Sequence, residues 1–91
     1  EEGEILLNDI VFIKNSTGLH ARPAVELIKL AKKFKSKILL KNGDKEANGI
    51  SIMEVMALGA TKNSKIVLII DGIDEEEAMA AIKTYITQLH E

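Results

Sequence analysis

The chain has 91 residues, enough for one domain with one modest core and no second lobe. Apolar residues make up 46% of it and charged residues 29%, a globular rather than a disordered balance. A net charge of -2 with no aromatic-basic interleaving argues against nucleic acid as a partner, and the lack of cysteine excludes a disulfide framework or a thiolate metal site.

With only His20 and His90, a catalytic zinc site would lack its usual nitrogen ligands, and no metal or other cofactor is expected. No apolar run approaches the roughly 20 residues of a membrane span, and no signal-peptide pattern is visible. The expectation is a cytoplasmic protein with no membrane insertion. Opening on Glu1 rather than methionine is expected of a chain that has lost residues upstream, by excision or by division of a longer protein.

In chain order, Ile10 to Lys14 reads as the first strand. Ser16-Thr17-Gly18-Leu19-His20-Ala21-Arg22-Pro23-Ala24 follows, where that strand hands over to a helix. Ala24, Leu27, Ile28, Ala31 and Phe34 recur at helical spacing and form its buried stripe. Pro23 is tolerated in a first turn, whose N–H groups have no intrahelical partner. His20 therefore falls at the N-cap, beside the free N–H groups of Ala21 and Arg22. Unpaired donors and the positive end of the helix dipole attract anions there. Imidazole is also a competent nucleophile near neutral pH. Together they suit a phosphoryl group held covalently on the ring. The alternative is a surface histidine capping a helix beside a solvated arginine. The cluster of Lys29, Lys32, Lys33, Lys35 and Lys37 reads as a solvated helix face.

Lys37 to Lys41 and Lys45 to Asn48 read as strands joined by an Asn42-Gly43 turn, since both residues tolerate positive φ. Ser51-Ile52-Met53-Glu54 has capping-box spacing and opens a short helix that Gly59 ends. Lys65 to Asp71 is the fourth strand. The last helix takes Asp74 as N-cap and Glu77 as its capping-box partner, with Ala78, Ile82, Tyr85, Ile86 and Leu89 as its apolar face. The order β-α-β-β-α-β-α favours an α+β sandwich over a doubly wound parallel sheet.

Three motifs carry a resemblance to a known family: Gly18-Leu19-His20-Ala21-Arg22-Pro23-Ala24, then Ser51 to Gly59, then Asp71-Gly72 with Asp74 to Ala78. From about Asp9 to Leu89 the chain resembles HPr, the histidine-containing phosphocarrier of the bacterial phosphotransferase system. The resemblance implies an open-faced sandwich, a four-stranded antiparallel sheet with three helices on one face. It makes residues 1–91 a single such domain, with 1–7 an N-terminal extension or linker remnant. It further implies a carrier, not an enzyme, that takes a phosphoryl group from enzyme I of the phosphoenolpyruvate-dependent system and passes it to downstream acceptor proteins. His20 matches the phosphorylated residue, through Nδ1 by the family's pattern, and Arg22 the arginine that steadies the charge. Ser51 matches a serine that a dedicated kinase phosphorylates in many Gram-positive members. Ile50 departs from the lysine common before that serine, and Glu54 from the glycine usual in Gram-positive members.

The stretch before Glu26 holds no carboxylate near His20, which suits a carrier with nothing to activate water. A hydrolase using His20 as nucleophile lacks that base. A regulatory binding domain of the same fold, without phosphoryl flux, is the main alternative. Leu19, Ile52, Met53 and Met56 are expected to form the docking patch, with Val55 and Leu58 turned to the core; flexible methionines suit a surface that serves several partners. By the family's register Val11, Ile13, Ile38, Leu40, Ile66, Leu68 and Ile70 face the helices. Ile10, Phe12, Leu39, Val67 and Ile69 are left on the open face. Ile5, Leu6 and Leu7, a second copy, or a neighbouring domain is the expected cover for such a patch.

Overall fold

A computed structural model describes residues 7–89. The elements run β1 (Leu7–Phe12), α1 (Ala21–Ala31), β2 (Lys37–Asn42), β3 (Lys45–Asn48), α2 (Ile52–Ala57), β4 (Lys65–Asp71) and α3 (Glu75–Thr87). All sheet pairings are antiparallel, in the order β1-β4-β2-β3. Three helices cover one face, so the fold is the expected open-faced sandwich.

Strand parity builds the core. Val11, Ile38, Leu40, Ile66, Leu68 and Ile70 alternate onto the helical side and are buried, joined by Ile13 just past β1. From the helices come Ala24, Leu27, Ile28 and Ala31 of α1, Val55 of α2, and Ala78, Met79, Ile82 and Ile86 of α3. The other parity stays outside: Ile10 and Phe12 are 45% and 47% exposed, and Leu39, Val67 and Ile69 are half-buried.

β1 begins three residues before the expected strand and ends two before it. Its start is set by pairing with β4, from Leu7 opposite Ile70 to Phe12 opposite Lys65, and not by its own hydrophobicity. Polar Asn8 and Asp9 conceal it in the sequence. Asp9 points to the helical side at the sheet edge, where Lys83 of α3 donates to its carboxylate at 2.6 Å. Leu7 is thus no extension residue: it packs against the core, on the helical side. It cannot cover the open face, and Ile5 and Leu6 lie outside the described residues.

Two local expectations are corrected. The hairpin loop is Gly43-Asp44, not Asn42-Gly43: Asn42 pairs with Lys45 as the last residue of β2, and only Gly43 takes positive φ, at 64°. Asn42 instead donates its side-chain amide to the Leu58 carbonyl at 2.9 Å, tying the hairpin to the end of α2.

Asp74 is the N-cap of α3, but its side chain makes no capping bond. Its carboxylate accepts from the N–H groups of Lys35 and Ser36 and from the Ser36 hydroxyl, at 2.8, 2.9 and 2.6 Å. Those bonds clamp the α1–β2 connection to the start of α3. Glu75, rather than Glu77, reaches back, accepting from Gly72 N–H at 3.0 Å.

Candidate functional site

The loop between β1 and α1 is held from below. Ile13 donates its N–H to the Ser64 carbonyl and accepts from Asn63 N–H, extending the β1–β4 pairing past the strand. Asn15 is buried and donates its side-chain amide to the Gly18 carbonyl at 3.0 Å, while Leu19 N–H donates to the Ala60 carbonyl at 3.1 Å. Gly18 sits at φ +66°, and a Cβ there would lie 2.1 Å from the Ala60 oxygen. Only glycine permits both that backbone angle and that approach.

This frame presents His20 as the N-cap of α1, extended at φ -87° and ψ -166°. Its carbonyl accepts the first intrahelical bond, from Ala24 N–H at 2.8 Å. Its imidazole makes no capping bond and is exposed, so the ring is spare. Ala21 and Arg22 contribute the first-turn N–H groups, which an intrahelical partner cannot reach. Thr17, His20, Arg22 and Pro23 line an open depression of about 240 Å³, and the first turn of α1 contains no acidic residue. Among the described residues, a hydroxyl, a guanidinium and an imidazole therefore share one depression at a helix start whose first turn holds no carboxylate, a setting that favours an anion.

Beneath, Tyr85 of α3 donates its hydroxyl to the Pro23 carbonyl at 3.0 Å. Burial pushes the Tyr85 pKa up, and the Glu26 charge adds to it, so the hydroxyl stays protonated and keeps donating. The sequence alone marks neither Asn15 nor Tyr85 as part of the site. Asn15, a turn-former just after a strand, carried a weak signal; Tyr85 looked like any apolar-face residue of α3.

α2 packs against α1 in the same layer. Ser51 is its N-cap, half-buried, and its hydroxyl accepts from Glu54 N–H at 3.3 Å. The Glu54 carboxylate goes to Asn48 N–H at 2.7 Å rather than back to Ser51, so the capping box is only half made. Val55 and Leu58 are buried, whereas Met53 is 79% exposed and Ile52 and Met56 are also exposed. Leu19, expected among the docking residues, is 3% exposed and lies in the core, drawn inward by its bond to Ala60. It offers no surface to a partner. Among the described residues no group of His, Cys, Asp and Glu could hold a metal ion, and no helix is long and apolar enough to cross a membrane.

Residues 8–88 match the family model for the PTS HPr component phosphorylation site. The phosphocarrier protein HPr of Mycoplasma genitalium is 49% identical over 72 residues, covering 78% of this chain and 82% of the relative. The HPr-like protein Crh of Halalkalibacterium halodurans is 42% identical over 76 residues, covering 84% and 90%. Among solved structures, the crystal structure of HPr-C-His from Thermoanaerobacter tengcongensis superposes with a TM-score of 0.85 at 41% identity, covering 89% of this chain and 91% of that one. A match through both edges of the sheet and all three helices, at these identities, settles the kinship: the chain belongs to the HPr family of phosphotransferase-system phosphocarriers.

Proposed function

We propose that this chain carries a phosphoryl group on His20, taken from phosphorylated enzyme I and handed to a downstream acceptor of the phosphotransferase system in the cytoplasm. The observation that carries this reading is the spare imidazole at the N-cap of α1, beside Arg22 and Thr17, with no carboxylate in the first turn. A ring nitrogen attacks phosphorus, a P–N bond forms, and the bond from phosphorus to the donor breaks. Onward transfer reverses the roles, with the acceptor as nucleophile. In between, Arg22 spreads its fork over the phosphoryl oxygens while the N–H groups of Ala21 and Arg22 face the charge. With no carboxylate in the first turn of α1 to activate water, hydrolysis stays slow in this reading. His20 and Arg22 are thus the residues assigned to the transfer.

Ile52, Met53 and Met56 form the partner-docking patch in this reading, a flexible apolar surface on α2. Ser51 is the position for regulatory phosphorylation by a serine kinase. A phosphate at that N-cap gains from the helix dipole and meets the like charge of Glu54 one turn on.

The test is incubation with enzyme I and phosphoenolpyruvate, read by intact mass and by acid lability of the adduct. Similarity to the HPr-like protein Crh favours a second reading, a regulatory domain that docks without phosphoryl flux. Binding to partners with no phosphoryl gain in this assay selects that one.

A further inference from the structure

The first turn of a helix is prone to fraying, because its N–H groups lack intrahelical partners. In α1 that turn carries Arg22 and Pro23 directly after the His20 N-cap. One peptide group in it is held at both ends. Ala24 N–H donates to the His20 carbonyl at 2.8 Å, and the Pro23 carbonyl of the same peptide accepts from the Tyr85 hydroxyl at 3.0 Å. A hydroxyl 62 positions along the chain thus stands one peptide away from the backbone of His20. Hydrogen bonds in such a chain polarise one another, so the outer bond strengthens the inner one.

The tie runs to a fixed point. Tyr85 packs against the core from α3, where its neighbours in sequence Ile82 and Ile86 have no measurable exposure. Pro23 has no N–H and its ring is buried, so its carbonyl is the backbone atom through which a neighbouring element can hold it. The phenol stands apart from the depression that His20 and Arg22 line, and shares a separate one with Glu26 and Lys29. Its influence on the site therefore passes through the backbone of α1.

We infer that Tyr85 is a positioning residue for phosphoryl transfer, holding the first turn of α1 in the conformation that presents His20. The inference rests on the reading of His20 as the phosphoryl acceptor. Phosphoryl transfer depends chiefly on positioning and charge. A first turn that opens part of the time presents the ring out of line for that part.

The test compares Tyr85→Phe with Ile82→Val, both in the full chain. The two should lose similar, modest thermal stability, one through a hydrogen bond and the other through a buried methylene. Only Tyr85→Phe removes the tie to Pro23. With phosphorylated enzyme I as donor, it should lower the maximal transfer rate about three- to tenfold. KM should stay unchanged, since the exposed residues of α2 are untouched. Ile82→Val should keep the rate of the unmodified chain. By hydrogen exchange, the Ala24 amide should exchange roughly fivefold faster in Tyr85→Phe and hold its rate in Ile82→Val. Transfer by Tyr85→Phe at the unmodified rate would overturn this proposal alone. So would a rise in KM with the maximal rate unchanged, or an equal slowing in both variants. No phosphoryl gain by the unmodified chain would remove the reading of His20 itself, and this proposal with it.

Discussion

At His20 the division of labour is between chemistry and position. In the proposed carrier the imidazole supplies the nucleophile, while Gly18, Asn15 and Tyr85 hold the loop and helix start on which it stands. His20→Ala is expected to end phosphoryl acceptance with little change in thermal stability, because the side chain is exposed and makes no capping bond. Arg22→Ala should leave acceptance measurable but slow transfer, since it removes charge stabilisation and spares the nucleophile. Gly18→Ala behaves differently. A methyl 2.1 Å from the Ala60 carbonyl forces the loop to move, so both stability and transfer rate should fall together, on a melt and a single-turnover assay. Equal stability in Gly18→Ala and the unmodified chain would show that the loop does not depend on this close approach. Tyr85→Phe removes one hydrogen bond beneath Pro23 and should cost about 1 kcal/mol.

Among the elements, α2 has a buried side and an exposed side, and only the exposed one is assigned to docking in the proposed function. Val55 and Leu58 hold it to the core, and Met53 is free to be changed. Met53→Asp should weaken binding to enzyme I, measured by calorimetry, with the melting temperature nearly unchanged; a large loss of stability would instead make Met53 a packing residue. Asp74 governs the junction of α1, β2 and α3. Hydrogen bonds from Ser36 and Lys35 hold its carboxyl below the usual carboxylate range. A depressed folded pKa means the stabilisation is present above the unfolded value, near 3.8, and is lost as pH falls through the folded one. Below about pH 4, Asp74→Asn should therefore show a flatter decline in stability than the unmodified chain, on acid titration followed by circular dichroism.

These elements also show what a sequence discloses. The strand from Lys65 was legible to the residue because a continuous apolar run bounded by turn residues leaves little choice, and that from Lys45, with Ala47 as its one apolar residue, was legible from the turn before it. Ser51 as an N-cap was legible from local spacing. The beginning of β1 was not, since a partner strand creates it over polar Asn8 and Asp9. Nor was the role of Asp74, whose bonds run to residues 38 and 39 positions away. Local rules put Asp74 at the helix start and could not reveal that its carboxylate had been taken by a distant loop. The turn failed for a smaller reason: Asn42 and Gly43 both accept positive φ, and the register of β2 with β3 decided between them.

For the whole molecule, one sheet separates two surfaces. The helical side holds the core and, at the start of α1, the exposed histidine; the open side holds apolar residues at the parity the core does not use. The parity of β1, β2 and β4 came from the family's register, because these strands are apolar at both parities and their own pattern does not choose a side. The core is small and dense in large aliphatic side chains with no measurable exposure, among them Leu27, Leu40, Leu68 and Ile82. Truncating any of these to alanine should cost about 2–5 kcal/mol, a large share of what a domain of this size possesses.

The central claim is that His20 is the phosphoryl acceptor. The most direct measurement is the intact mass of the chain after incubation with enzyme I and phosphoenolpyruvate, taken before and after mild acid, for the unmodified chain and for His20→Ala. The account predicts a single acid-labile phosphoryl group on the unmodified chain and none on the variant. An acid-labile phosphoryl group on His20→Ala, or none on the unmodified chain with enzyme I active, would contradict it.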